Sequence, residues 1–220
     1  IKINPGFAEA HTNLGNILRS LGKLREAERS TRKAIQINPD FALAHLNLVS
    51  IFSDLGKLEE VILFSKSSLR LRTINQGDKL QTLLKMAIAH LLQEDFPGTL
   101  LSINKAKELI SKGVITTIKS EKNKKHSLSF ARFISLLYPL LEKENNKPYA
   151  EKIPHIGESH CLSFAHQTLS ISSQISKIQP VLITGGKAWH FANKKNNQWK
   201  DSLAQQMKNH NYSDKVFISF

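Results

Sequence analysis

The stretch INPGFAEAHTNLGNILRSLGKL, residues 3–24, returns 34 residues later as INPDFALAHLNLVSIFSDLGKL, residues 37–58. The opening Ile-Asn-Pro and the closing Leu-Gly-Lys-Leu are both kept, and identical residues recur between them. So many identities at one offset indicate an internal repeat. A period of about 34 residues is typical of helical hairpins that stack into a solenoid.

The pattern inside one repeat predicts two helices. Apolar residues recur at helical spacing over residues 8–21, and Gly22 follows where a helix end favours a left-handed residue. Residues 24–37 give a second amphipathic stretch, and Pro39 stops it because proline lacks the N–H that the next turn needs. Each repeat is therefore predicted to be a helix, a tight turn and a second helix.

These positions carry a family resemblance. They fit the signature of a known repeat family at Leu14, Gly15, Leu18, Ala27, Ala34 and Pro39. His11 stands where that signature usually has tryptophan. Over about residues 4–111 the chain resembles the tetratricopeptide repeat family. The resemblance implies an α-helical solenoid whose first helices line a concave groove that binds a protein or peptide partner.

The copies differ in how well they keep the pattern. The first spans about residues 5–38 and the second 39–73, where the signature positions hold Val49, Val61, Ser68 and Thr73. A third, irregular copy is predicted at about 80–111. There Ala87 and Ala106 keep the 19-residue separation of Gly15 and Ala34, four residues out of the 34-residue period.

The predicted solenoid occupies residues 1–147 and includes a further helix at about 128–142. Residues 1–5 match the end of a second helix, so we expect the solenoid to continue upstream and the chain to be a fragment.

Two asparagines are the candidate groove residues. One variant of the family binds a carboxylate with a Lys-x-x-x-Asn pair, but here Glu9 precedes Asn13 and Leu43 precedes Asn47. Because the cations are missing, we do not expect an acidic-tail clamp. Asn13 and Asn47 either hydrogen-bond the backbone of an extended peptide or are solvated polar residues. The repeated histidines, such as His11, are predicted on the packing side.

The last third of the chain has a different pattern. Residues 142–148 form a charged, proline-ended linker, and short apolar runs at 152–156, 180–184 and 215–220 are candidate strands. Helical stretches are predicted near 161–175 and 196–209. Strands that alternate with helices predict a parallel sheet, so residues 148–220 are expected to be the N-terminal part of a truncated α/β domain.

Two loops in this segment suggest chemistry. Gly157-Glu158-Ser159-His160 resembles the Gly-Asp-Ser block that opens the SGNH (GDSL-like) hydrolase family, over about residues 152–220. The resemblance implies Ser159 as a nucleophile, with Gly185 or Gly186 donating a backbone N–H to an oxyanion. The family's Asp-x-x-His block stands near the C-terminus of its members and has no counterpart in residues 1–220, so no activity is expected from these residues, and whether the protein is an enzyme stays open.

Composition narrows the function class. The net charge of +13 is spread evenly, with +4, +5 and +4 on residues 1–75, 76–150 and 151–220, which does not favour a specific nucleic-acid site. With one cysteine, Cys161, and scattered histidines, we predict no metal and no cofactor.

No signal peptide or membrane span is visible in the sequence, so a cytoplasmic location is predicted. The sequence makes no prediction of the oligomeric state. The favoured hypothesis is a protein-interaction scaffold. A repeat-bearing ester hydrolase or acyltransferase is the alternative, and nucleic-acid binding has only diffuse charge in its support.

Overall fold

The computed structural model describes residues 7–118 without a break. Beyond them it describes residues 121, 124–125, 127–129, 131, 151–157, 168–171, 174–182, 200, 203–204 and 217–219. The statements below concern these residues only. In the strands, Lys177 is the residue whose side chain is described.

The first hairpin has the predicted bounds to within one residue. Helix α1 spans Ala8–Ser20 and α2 spans Leu24–Ile37. Between them Gly22 has φ 76°, and the Lys23 amide donates to the Leu18 carbonyl over 2.9 Å. This is the Schellman arrangement, in which a left-handed residue lets the chain reverse while the last helical carbonyls stay hydrogen-bonded.

Two further hairpins follow. Helices α3 (Ala42–Asp54) and α4 (Leu58–Ser68) form the second, and α5 (Gln76–Leu92) and α6 (Phe96–Ser111) form the third. A 3-10 turn, Val114–Thr117, comes after α6. Helix α5 has 17 residues where α3 has 13, and these four extra residues account for the shift of the third repeat from the 34-residue period.

The third turn keeps the same geometry without glycine. Glu94 stands where the first two turns have Gly22 and Gly56, and its φ is 63°. A non-glycine residue in this region costs roughly 1 kcal/mol. The Glu94 carboxylate accepts a hydrogen bond of 2.6 Å from the ammonium group of Lys177, which is only 2% exposed. The turn thereby contacts the strand segment through an ion pair.

Consecutive helices pack against each other, and α3 also contacts both α1 and α5. The first helices therefore lie side by side in the order α1, α3, α5. Small residues allow the close approach: Ala27, Ala34 and Ala44 are fully buried, as are the larger Leu48 and Phe52. This is a helical repeat fold, in which each hairpin buries its apolar face against its neighbours.

Four strands lie in the last third: β1 (Glu151–Gly157), β2 (Thr168–Ile171), β3 (Gln174–Leu182) and β4 (Phe217–Ser219). The sheet order is β2-β3-β1-β4. Strand β1 pairs in parallel with β3 and β4, whereas β2 pairs antiparallel with β3.

Strand β2 corrects the sequence analysis. A helix was predicted over residues 161–175, but residues 168–171 and the start of β3 are extended. The physical reason is the alternation of polar and apolar residues in Thr-Leu-Ser-Ile and Gln-Ile-Ser-Lys-Ile, which suits a strand, with only two residues between them. Residues 161–167, and most of the predicted helices at 128–142 and 196–209, lie outside the described residues.

Among the helices that the structure describes, none has both the length and the apolar character that crossing a membrane requires.

Candidate peptide-binding face

The side-by-side first helices present three equivalent positions. Asn13 in α1 lies two residues before Gly15, which faces the second helix and would contact the Thr31 hydroxyl if it had a Cβ. Asn47 lies two residues before the buried Val49 in α3, and Lys85 lies two before the buried Ala87 in α5. We call the surface of α1, α3 and α5 that carries these three residues the first-helix face.

Lys85 was missed in the sequence analysis. The predicted groove residues were taken from the 34-residue period alone, which stops at Asn47. The same four-residue shift that aligns Ala87 with Gly15 would have placed Lys85 beside the two asparagines. The sequence therefore contains this signal. It becomes visible when the third repeat is aligned with one extra helical turn.

An ion pair joins α1 to α3 on this side of the molecule. The Arg19 guanidinium donates from Nε to Oδ2 of Asp54 over 2.5 Å and from Nη2 to Oδ1 over 3.2 Å. The Asp54 side chain is 20% exposed and that of Arg19 is 36% exposed. A two-point guanidinium–carboxylate contact fixes the relative position of the helices better than a single hydrogen bond does.

A second contact joins α3 to α5. The Lys85 ammonium group donates to the Ser50 hydroxyl, which itself donates to the Leu46 carbonyl over 3.0 Å. Burial of the ammonium lowers the pKa of Lys85 to about 8, and the positive charge of Arg19 acts in the same direction. The carboxylates of Asp54 and Asp78 oppose this shift.

The two contacts form one polar row across three helices. Arg19 and Lys85 supply positive charge, and Asp54 and Asp78 supply negative charge. Burial raises the pKa of Asp78, while the hydrogen bond from Asn75 and the charge of Lys85 oppose that rise. The row therefore holds two basic and two acidic side chains.

The two predicted asparagines have different surroundings. Asn13 is exposed, whereas Asn47 is half-buried and its Nδ2 is buried without a hydrogen-bond partner among the described residues. One turn before Asn47, Leu43 is 44% exposed. Asn13 is therefore the more accessible of the two amides, and Leu43 places an apolar side chain that is open to solvent one turn from Asn47.

Three other predicted site residues belong to the last third of the chain. Ser159, Gly185 and Gly186 lie outside the described residues. What the structure does describe is that Gly157 ends β1 and Leu182 ends β3, and that these two strands run parallel. Within the described part of the chain, no group of three or more His, Cys, Asp or Glu residues is arranged to hold a metal ion.

The pKa of Lys85 gives a prediction for stability. Between pH 8 and about 10.5 the unfolded chain binds more protons than the folded one, so wild-type stability should rise over this range. Lys85→Met should abolish the rise. Because it removes a desolvated charge, it should also raise the free energy of unfolding at pH 7 by about 2 kcal/mol.

Urea unfolding from pH 7 to pH 10.5 measures both effects. The matched control is Lys105→Met, at an exposed position of α6, which should keep the wild-type rise. A wild-type profile that is flat above pH 8, or a Lys85→Met profile that still rises, would contradict the account of a desolvated ammonium group.

The comparison with known proteins gives a family match in the helical region. No curated protein sequence matches the chain significantly. Residues 8–41 match the tetratricopeptide repeat family model, and this range covers α1, α2 and the turn into α3. The first hairpin is therefore similar to a tetratricopeptide repeat, and the helical region has a repeat-like fold of the kind that generally mediates binding between proteins.

Proposed function

We propose that the chain is a protein-interaction scaffold whose first-helix face binds an extended segment of a partner protein. The observation that carries the proposal is the series Asn13, Asn47 and Lys85 at equivalent positions of three adjacent helices, beside the exposed Leu43. Side-chain amides can donate to the carbonyl groups and accept from the N–H groups of an extended peptide backbone.

The size of the face sets the length of the segment. Packed helices lie about 9 Å apart, so three of them span about 18 Å between the outer axes. An extended chain advances about 3.3 Å per residue, and about six residues would cross the face. Leu43, one turn from Asn47 and 44% exposed, adds an apolar contact in the middle of this path.

The charges argue against an acidic tail as the ligand. Lys85 already donates to Ser50, and Arg19 is paired with Asp54. A carboxylate on the ligand would have to compete with these existing partners. We therefore propose that backbone hydrogen bonds and one apolar side chain, rather than a terminal carboxylate, make the main contacts.

The proposal is tested with a heptapeptide selected from a random library on the wild-type chain. Asn13→Ala with Asn47→Ala should weaken its binding about tenfold or more, since two hydrogen bonds are lost. The matched control is Gln36→Ala with Asn104→Ala, which removes two exposed amides from the second helices and should leave the affinity within about twofold. Equal affinities for all three proteins would overturn the proposal.

We propose ester hydrolysis or acyl transfer as a second function, from the resemblance of Gly157-Glu158-Ser159-His160 to the SGNH opening block, which here follows a strand that pairs in parallel with β3. Segments that follow parallel strands meet at one sheet edge, and Ser159 comes two residues after β1 while Gly185 comes three after β3. The test is hydrolysis of p-nitrophenyl acetate by the longest available form of the protein. Loss of hydrolysis in Ser159→Ala supports the role; rates equal to wild type contradict it.

A further inference from the structure

The second helices of the three hairpins form a layer of their own. Helix α2 packs on α1 and α3, α4 packs on α3 and α5, and α6 packs on α5, so their order is α2, α4, α6. The Arg32 guanidinium of α2 lies 5.5 Å from the ring centroid of Phe64 in α4. Ile62 of α4 packs on the cluster that contains Ile103 of α6. The outward positions of neighbouring second helices therefore form one continuous surface.

Two leucines protrude from this layer at equivalent positions. Leu63 in α4 and Leu101 in α6 are 60% and 57% exposed. They are 38 residues apart, the same separation that relates the buried Ser68 of α4 to the buried Ala106 of α6. Because packed helices lie about 9 Å apart, the two leucines stand side by side. The equivalent position of α2, 34 residues before Leu63, holds the exposed Arg29.

Basic side chains continue from these positions toward the helix ends. In α2 and α4 the exposed ones include Arg29, Arg32, Lys33, Lys66 and, just after α4, Arg70. Residues 29–39 and 61–77 contain no aspartate or glutamate. Apolar and basic side chains thus share one surface. We call it the second-helix face and define it by Leu63, Leu101, Arg29, Lys33, Lys66 and Arg70.

Acidic side chains around the second-helix face are paired or lie near the helix starts. Glu28 accepts hydrogen bonds from Arg32 over 3.0 Å and from Lys57 over 2.9 Å. Glu108 of α6 forms an ion pair with Lys112. The first turns of α2 and α4 hold Glu26, Glu59 and Glu60. The second-helix face therefore combines exposed leucines with a net positive charge.

We propose that the second-helix face binds a membrane surface that contains anionic phospholipids. The cations are attracted to the negative headgroups, and the two leucines enter the interface between headgroups and acyl chains. Such a peripheral contact requires no membrane-spanning helix. It uses a different helical layer from the first-helix face, so it does not depend on peptide binding there and leaves that face open to a protein partner.

The exposure of the leucines favours a lipid surface over a protein or a nucleic acid. Leu63 and Leu101 are each more than half exposed, so they stand above the surface and do not line a groove. A protein partner gains most from anchors in well-packed pockets, whereas a bilayer interface accepts protruding apolar side chains beside basic ones. A nucleic acid would contact the cations alone, and no aromatic residue of α2, α4 or α6 is exposed for base stacking.

Co-sedimentation of the full chain with phospholipid vesicles tests the proposal. Vesicles of phosphatidylcholine with about 30% phosphatidylserine should bind the chain, and vesicles of phosphatidylcholine alone should bind it at least tenfold more weakly. Leu63→Ser with Leu101→Ser should weaken binding to the mixed vesicles about tenfold, because the apolar contact is lost. The control Leu43→Ser, at an exposed leucine of α3, should leave vesicle binding unchanged.

A charge reversal tests the basic part of the face. Lys66→Glu with Arg70→Glu should weaken binding to the mixed vesicles at least tenfold, since each cation near an anionic surface contributes about fivefold. The matched control is Lys23→Glu with Lys79→Glu, which changes the net charge equally but outside the second-helix face. Because salt screens distant charges, this control should lower the affinity by about threefold or less.

Three results would overturn the proposal. The first is no binding to the mixed vesicles, and the second is equal binding to both kinds of vesicle. The third is wild-type affinity in the variant with both Leu63→Ser and Leu101→Ser, because the cations alone would then hold the vesicle. In that case equally tight binding of the chain to a DNA duplex would identify the face as a general polyanion site.

Discussion

Replacing His11 and Thr31, each of which has a buried polar atom, by Leu and Val is expected to raise the free energy of unfolding by about 2 kcal/mol. In the structure, Nε2 of His11 and Oγ1 of Thr31 are buried, and neither has a hydrogen-bond partner among the described residues. A polar group in that situation has lost its water without gaining a partner. The third hairpin holds Leu83 and Ile103 at the equivalent positions, 4% and 2% exposed.

The second hairpin repeats the feature. Nδ1 of His45 and Oγ of Ser65 are likewise buried without partners among the described atoms, although Nε2 of His45 lies 2.7 Å from the Pro39 carbonyl. Because His45 keeps that one contact, its replacement should gain less than replacement of His11. Ser65→Ala alone should add about 1 kcal/mol.

Urea unfolding followed by helical circular dichroism measures these gains. The matched control is Thr12→Val, because Thr12 is equally buried but its hydroxyl donates to the Ala8 carbonyl over 2.9 Å. Thr12→Val should give no gain or a small loss. A loss of stability in His11→Leu with Thr31→Val would show that these groups are hydrogen-bonded, for example through a buried water, and would contradict the prediction.

Phe52→Ala is expected to have the largest destabilising effect, about 4 kcal/mol. Phe52 in α3 is fully buried, and its ring centroid lies 5.2 Å from that of Phe64 in α4. The Arg32 guanidinium lies 5.4 Å and the Lys57 ammonium 5.5 Å from the same ring centroid. Alanine removes the ring that these contacts share and leaves a cavity between α2, α3 and α4.

The same urea experiment checks this loss, with Phe64→Ala as the comparison. Phe64 is only partly buried, so its truncation should cost less than that of Phe52. A loss below about 1 kcal/mol for Phe52→Ala would be far outside the range for a buried phenylalanine, and it would contradict the packing described for the second hairpin.

Helix bounds in the first hairpin followed from the sequence because local signals agree there. The apolar spacing marks the helices, Gly22 supplies the left-handed residue, and Pro39 follows the end of α2. The third turn has no such signal. Glutamate rarely adopts φ 63°, and what accompanies Glu94 is an ion pair with Lys177, 83 residues away in sequence.

The candidate site could be predicted only in part. Asn13 and Asn47 come from the exact 34-residue period, but Lys85 requires the length of α5, which the sequence shows only through Ala87 and Ala106. The contacts of Arg19 with Asp54 and of Lys85 with Ser50 depend on how neighbouring hairpins stack. Such contacts between repeats depend on how the hairpins pack, and no local sequence pattern encodes them.

The most direct test of the central claim, that the first-helix face binds a partner segment, is a ¹⁵N NMR titration with the selected heptapeptide. The side-chain amide resonances of Asn13 and Asn47 and the Nε–H of Arg19 are predicted to shift and saturate together. The side-chain amides of Gln36 and Asn104, in the second helices, should stay unchanged. Shifts confined to Gln36, Asn104 and their neighbours would place the partner on the second helices and contradict the account.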